Sequence, residues 1–521
     1  MKTNSRWSDN GGRYLLLATL LMVAGCTNVG PDFVKPDAPV ATKWQEADDP
    51  HINTQDIEYK DWWKVFNDPV LDRLIATAYE QNLSLQAAGV RILEARAQLG
   101  IATGYQYPQS QSVGAGAARS KSSTNAPPFS NLPSEVVDGV DTTKNYWNMS
   151  FDAAWEADIW GKFRRGIEAA DANYMANLLN YDAVLVTLTG DVAAVYVSIR
   201  TLEERLAHAS SNVKLQRQGL DIAQNRFRLG ATSELDVQQS RALLKQTESM
   251  IPSLQLALGQ HKNALSILLG TPPGDLQGLL DGNGKIPHAP TVAAVGIPAD
   301  LIRRRPDVRA AEMAAAMQSA VIGVSEADLY PHFVLAGSIG IAGDTFSSQF
   351  RSGSGMGYFT PFIRWDILNY GRIKNNVRVQ DARFEQLLLG YQNVVLKAAR
   401  EVEDGLLGFL HTQEQAGYLD SAVKASQRAS YLALLQYREG AVDYTRVLNT
   451  QTSLLQQQDA LTSAQGQVVN SLVSVYKSLG GGWQIREGND YIPQQIKADM
   501  SERTDWGELL QTPEPQPMQQ K

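Results

Sequence analysis

One residue stands out for its chemistry: Cys26, the only cysteine among 521 residues, placed where a short apolar run ends in Val23-Ala24-Gly25-Cys26. Lys2, Arg6 and Arg13 precede the apolar stretch Tyr14 to Val23, the pattern of a secretory signal rather than of folded structure. Ten or so apolar residues are too few to cross about 30 Å of hydrocarbon at about 1.5 Å per residue. Small residues ahead of a lone thiol predict cleavage after residue 25 and a covalent N-acyl diacylglycerol on Cys26. A free buried thiol behind an ordinary signal peptide is the alternative. With no second cysteine, no intrachain disulfide can form.

Other reactive residue types fall into no catalytic pattern. Asp152, Glu156 and Asp158 alternate along one stretch and could be an acid group; on the polar face of a strand they more simply line an aqueous lumen and bias it toward cations. Arg303-Arg304-Arg305 precedes Pro306-Asp307, which reads as charge at a helix start rather than a phosphate patch. Six histidines are scattered without metal-ligand spacing. A nucleophile elbow, a phosphate loop and a His-Glu-x-x-His helix are all missing, so neither enzyme chemistry nor a metal or other cofactor is expected. A net charge of −8 and a pI near 5.4 argue against nucleic acid as a partner.

What positions these residues is a sequence written twice. Trp155-Glu156-Ala157-Asp158-Ile159-Trp160-Gly161-Lys162 matches Trp365-Asp366-Ile367-Leu368-Asn369-Tyr370-Gly371-Arg372 at an offset of 210, as does Phe227-Arg228-Leu229-Gly230-Ala231 with Tyr437-Arg438-Glu439-Gly440-Ala441. Tyr107-Pro108 matches Tyr330-Pro331 at an offset of 223, which leaves 13 extra residues in the first copy, in the Ser/Thr/Asn/Pro-rich interval Ser120 to Asp141. Each half reads helix, strand, loop, strand, long helix, helix. The divisions expected are 1–25 signal, 26–70 lipidated equatorial segment, 71–270 first repeat, 271–297 linker, 298–482 second repeat, and 483–521 equatorial segment with a disordered tail from Thr512.

The strands alternate with a period of two. Trp147, Met149, Phe151, Ala153, Trp155 and Ala157 share one face, with Asn148, Ser150, Asp152, Glu156 and Asp158 on the other. Trp147 and Trp155 are eight residues apart, about 26 Å along a strand, close to the height of the apolar band of an outer-membrane barrel with an aromatic at each interface. Phe359, Pro361, Ile363 and Trp365 repeat the pattern, Phe333 to Ile341 forms a third strand, and the stretch Gln106 to Ala118 is only faintly legible. Four strands cannot close a barrel, for which about eight is the practical minimum. Three copies would supply twelve. The alternative for one such strand is a soluble sandwich with two core tryptophans.

A heptad runs through Leu178, Leu185, Val192, Ile199, Leu206, Val213, Leu220 and Phe227, and a second through Leu388, Val395, Val402, Phe409, Ala416, Val423, Ser430 and Tyr437. One helix from Phe163 to Leu229 would reach about 100 Å, long enough to bridge an aqueous gap. Gly230 and Gly440 are expected to cap these helices, with partner helices from Glu234 and Tyr444. No 18-residue apolar run is left after the signal, so a mature membrane crossing has to be a closed barrel.

With these features in place, the chain resembles the outer-membrane factor family, the TolC-like efflux channels, and its lipoprotein branch. The residues that carry the likeness are a lipobox ending in Cys26, then Val29-Gly30-Pro31-Asp32-Phe33, Trp62-Trp63-Lys64-Val65-Phe66-Asn67-Asp68-Pro69, Arg303-Arg304-Arg305-Pro306-Asp307-Val308-Arg309 and Leu479-Gly480-Gly481-Gly482-Trp483. The resemblance implies an α+β membrane protein: a homotrimer with a β-barrel of four strands per protomer continuous with a periplasmic α-helical barrel. Thr27, rather than an aspartate, implies sorting to the outer membrane. It further implies that the tips at Gly230, Ala231, Thr232 and Gly440, Ala441, Val442 dock a periplasmic membrane-fusion adaptor and an inner-membrane pump of the resistance-nodulation-division type. The constriction is expected along Asp443, Tyr444, Arg446, Asn449 and Thr452. Relatives often place an Asp–Arg pair there; here those positions read Asn449 and Thr452, and Asp443 with Arg446 is the candidate substitute, an ordinary solvated helix start being the alternative. Trp147, Trp155 and Trp365 are the expected interface aromatics. Two rivals remain: a lipid-anchored periplasmic coiled-coil scaffold without a pore, and a duct for protein secretion.

Overall fold

The computed structural model describes residues 28–54, 59–274, 276–281, 284–296 and 303–511; Cys26 and the tail after Gln511 lie outside them. The main elements in chain order are α1 (Pro69–Gln81), α2 (Leu83–Gly104), β1 (Ser110–Lys121), β2 (Thr143–Ala157), α3 (Lys162–Arg228) and α4 (Glu234–Leu268), then α5 (Pro306–Ala327), β3 (His332–Gly343), β4 (Gly355–Arg364), α6 (Arg372–Arg438), α7 (Tyr444–Ser478) and α8 (Gln494–Arg503). Helices α3 and α6 have 67 residues each, and α4 and α7 have 35 each, so the duplication reads directly in element lengths. Two compact units result, one from Met1–Lys35, Ala95–Tyr174 and Met313–Leu388, the other from Pro36–Glu94, Met175–Glu312 and Leu389–Lys521. They cut across the repeat, because strands from both copies pair in one sheet.

The first unit holds that sheet, an antiparallel meander in the order β1-β2-β3-β4. Residues opposite each other in an antiparallel pair share a face, so the alternation read along β2 extends across the sheet. Val113, Phe151 and Ile339 form one row, and Ala115, Met149 and Ile341 the next. Strand β1 exists despite its Ser/Gly/Ala composition because β2 offers it twelve residues of backbone to pair with. Its low apolar content made its limits hard to read.

In the second unit the heptad residues are buried: Leu185, Val192 and Ile199 on α3, Val402 and Phe409 on α6. An 18-residue window of α3 is apolar enough to cross a membrane by composition, yet most of it is buried inside the protein, as a core helix would be. The duplication extends to individual hydrogen bonds. Asn82 Nδ2 donates to the carbonyl of Leu268 (2.9 Å), and at the matching place Arg305 Nη1 donates to the carbonyl of Ser478 (2.6 Å). Both quench an orphan carbonyl at a helix C-terminus. Arg305 also bonds Asp307 and Glu401 and is buried. It stands at the helix start, as the sequence suggests, and is in addition a clamp inside the protein; Arg303 and Arg304 are exposed.

Candidate functional site

Three places carry the expected residues: the sheet, its junction with the helices, and the helical tips. One face of the sheet is apolar on all four strands, and Val113, Phe151, Ile339, Phe359 and Ile363 on it are exposed. The opposite face presents Ser112, Ser150, Asp152 and Ser338. Among the described residues β1 pairs only with β2 and β4 only with β3, which leaves both edges open. An open edge with an exposed apolar face is unstable in water and unsatisfiable in lipid, so closure requires other copies of the chain.

The three tryptophans sit at the limits of this wall. Trp147 packs edge-on against Phe346 beside the hairpin loops, with ring centres 5.5 Å apart. Toward the helices, Trp155 Nε1 donates to the carbonyl of Gln106 (3.2 Å) and Trp365 Nε1 to that of Leu329 (3.0 Å), the same bond in both copies. Trp365 lies one residue beyond β4 rather than within it. Each indole keeps an apolar body on the wall and satisfies its N–H at the helix–strand turn, the usual arrangement at a membrane interface.

At the junction two of the three acids have structural partners. The Asp158 carboxylate accepts the N–H groups of Phe163 and Arg164 (3.1 and 3.0 Å) and pairs with the Arg164 guanidinium, which caps α3. Glu156 Oε1 lies 2.6 Å from His332 Nδ1. Asp152 accepts the Ser150 hydroxyl (2.9 Å) on the polar face and has no basic partner among the described residues. Among the described residues no cluster of His, Cys, Asp and Glu suits a metal ion.

The tips are two matched turns. Ala231 N–H donates to the Arg226 carbonyl and Ala441 N–H to that of Gln436, both at 2.8 Å, while Gly230 and Gly440 take positive φ of 71° and 80°. This closes the helix ends in the manner that favours glycine. Around them Tyr437, Tyr444, Ala223, Ala433, Val237 and Val447 form a buried cluster. Arg226 lies over the Tyr437 ring at 4.8 Å and donates to the carbonyls of Tyr437 and Ala231. The Tyr437 hydroxyl donates to Asp236 (3.1 Å), and burial pushes its pKa up to about 12, so it stays a neutral donor. Thr232 also bonds Asp236.

The expected gate residues separate. Asp443 and Arg446 do not form the ion pair considered from sequence. Instead the Asp443 carboxylate accepts the backbone N–H of Arg446 (3.2 Å) as the N-cap of α7, where it also faces the positive end of the helix dipole. Tyr444 is fully buried against Tyr437, rings 5.3 Å apart, with its pKa raised by burial, so within one chain it packs the tip and lines nothing. Arg446 and Asn449 are exposed; Asn449 and Thr452 line an uncharged groove of about 420 Å³ between α4 and α7 with Gln239, Gln246, Leu448 and Gln456. Nearby, the amides of Gln216 and Gln451 are buried without a hydrogen-bond partner among the described residues.

Sequence reasoning missed two internal cations, buried Arg165 and half-buried Arg486. Arg165 binds the carbonyls of Val29 and Gly30 and the carboxylates of Asp32 and Glu168, strapping the Val29–Asp32 motif to α3. Arg486 pairs with buried Asp182. A signal was available for the first: Arg165 corresponds to Asn375 in the second copy, so the charge serves something outside the repeat.

Known proteins match this arrangement. The outer membrane efflux protein family model matches residues 74–271 and 297–481, the two copies of the repeat. The chain is 30% identical over 484 residues to "Probable outer membrane lipoprotein SilC" of Salmonella typhimurium, covering 90% of this chain and 99% of that one. It is equally identical to the toluene efflux pump outer membrane protein TtgF of Pseudomonas putida, covering 90% and 97%. Among solved structures, the outer-membrane channel OprN superposes with a TM-score of 0.81 at 28% identity (88% of this chain, 100% of that one), and CusC with 0.74 at 26% (87% and 100%). The fold is accordingly that of the trimeric outer-membrane channels, each chain supplying four barrel strands and its helices extending into the periplasm. The chain belongs to the outer membrane efflux protein family and is a channel subunit of the outer membrane, not an enzyme.

Proposed function

We propose that three copies of this chain form the exit duct of a tripartite efflux system, joined at the Gly230–Thr232 and Gly440–Val442 tips to a periplasmic membrane-fusion adaptor fed by an inner-membrane resistance-nodulation-division pump. The cargo would be small molecules: drugs, toxic compounds or metals. The toluene pump of TtgF and the cation efflux system of CusC are relatives of that kind. Cys26 would carry the diacylglycerol anchor, in keeping with the lipoprotein name of SilC.

The observation that carries the reading is the four-stranded sheet, apolar on one face and open at both edges. It is a wall segment that completes nothing alone. The test is single-channel conductance of the purified acylated protein in planar bilayers, with heat-modifiable gel mobility of the trimer. Discrete conductance steps are expected; a monomer in mild detergent that never conducts would overturn the proposal. Mass spectrometry of the mature N-terminus tests Cys26 separately, with loss of the acyl mass expected in Cys26→Ser.

A further inference from the structure

The outer rim of the sheet changes chemistry within two residues. On β1 the outward face reads Val113, Ala115 and Ala117 up to the Trp147 row, then Arg119 and Lys121 beside Asn145 and Thr143. Same-face neighbours stand about 7 Å apart along a strand, so both cations project on the apolar side just past the tryptophan. Both are exposed, and neither forms an ion pair among the described residues, whereas at the helix-bearing end Lys162, Arg164 and His332 each find an acid.

Beside them the loop after β3 extends the apolar face upward. Phe346 packs on Trp147, and Phe350 packs on Phe346 with ring centres 5.7 Å apart; both phenylalanines are exposed. An apolar wall, an aromatic shoulder and then unpaired cations on the same side match an amphiphile whose acyl chains lie on the wall and whose phosphates sit immediately above. We infer that this rim binds a phosphorylated lipid headgroup of the outer leaflet, with Arg119 and Lys121 taking the phosphates and Phe346 and Phe350 contacting the acyl chains. The inference rests on the barrel-wall reading of the sheet and goes beyond the duct function.

The probe is bis-phosphorylated lipid A added to the full-length acylated trimer in mild detergent, with retention read by native mass spectrometry. Lipid A stripped of its phosphates and inorganic phosphate alone serve as comparisons. Each cation near an anionic lipid surface contributes enough that the Arg119→Gln/Lys121→Gln double variant should retain lipid A about tenfold less well or worse. Phe346→Ser/Phe350→Ser should weaken retention of both lipids, while both variants conduct as the unaltered protein does. Undiminished retention by the double variant would overturn the inference, and so would full competition by millimolar inorganic phosphate, since the acyl chains would then play no part. Unaltered protein that does not conduct would fail the duct reading instead. Normal conductance without phosphate-dependent retention would fail the rim site alone.

Discussion

The two copies of the repeat have helices of identical length and opposite surroundings. Leu179 and Val186 on α3 are 6% and 7% exposed; their counterparts 210 residues on, Leu389 and Leu396 on α6, are 57% and 53% exposed. The residue type is apolar at all four places, so hydrophobicity alone does not decide burial. The first copy finds its cover within the chain, while the second holds its leucines ready for a neighbour. At these matched places the first copy serves the fold and the second presents an apolar face for assembly, whereas Val192 and its counterpart Val402 are buried alike.

The largest test of this division compares the matched clamps on the helix ends. Arg305→Ala removes a buried guanidinium from the Ser478 carbonyl and leaves Asp307 and Glu401 facing each other, a loss of roughly 3 kcal/mol or more. Asn82→Ala removes one carbonyl bond and an N-cap accepting Leu85 N–H, about 1–2 kcal/mol. Thermal unfolding of the purified trimer should rank them in that order, and equal losses would break the distinction. Next, Leu179→Ala should destabilise the fold itself by about 2–4 kcal/mol. Leu389→Ala should leave far-ultraviolet circular dichroism unchanged and lower the trimer-to-monomer ratio on mild dissociation instead.

A smaller effect is expected at the tips. Arg226→Gln, which gives the first copy the residue found at Gln436 in the second, removes the bonds to Tyr437 and Ala231. Faster hydrogen exchange at 226–234 and 436–444 should follow, with little change in global stability. The smallest contrast is between the capping glycines. Alanine at either must adopt positive φ at a cost of about 1 kcal/mol. Gly440→Ala and Gly230→Ala should cost the same to within a few tenths of a kcal/mol, because the added carbon at 440 would meet Arg226 Nη1 at 3.4 Å, an ordinary contact with a movable side-chain end, and at 230 meets nothing.

Much of this architecture was legible because it is periodic. Alternation marked β2, heptads marked α3 and α6, and the shifted offset from 223 to 210 marked the longer first hairpin. What stayed hidden is what one residue decides through a distant partner. Arg305 looks like surface charge until Ser478 and Glu401, 173 and 96 residues away, are brought to it. Asp443 and Arg446 have the spacing of an ion pair, and a capping bond between the same two residues differs only in which atom of Arg446 donates to the carboxylate. The faint β1 was defined by the edge of its neighbour rather than by its own residues.

The open borders of the sheet also have a genetic consequence. A subunit that cannot line a pore alone shares its fate with two companions, so a damaged allele whose product still joins them is felt beyond its own dose. With equal expression and random mixing, only about one duct in eight would be built wholly from sound subunits. A mutation spoiling the passage while sparing the seams should therefore behave as dominant, whereas one that spoils the seams should be silent beside a healthy copy.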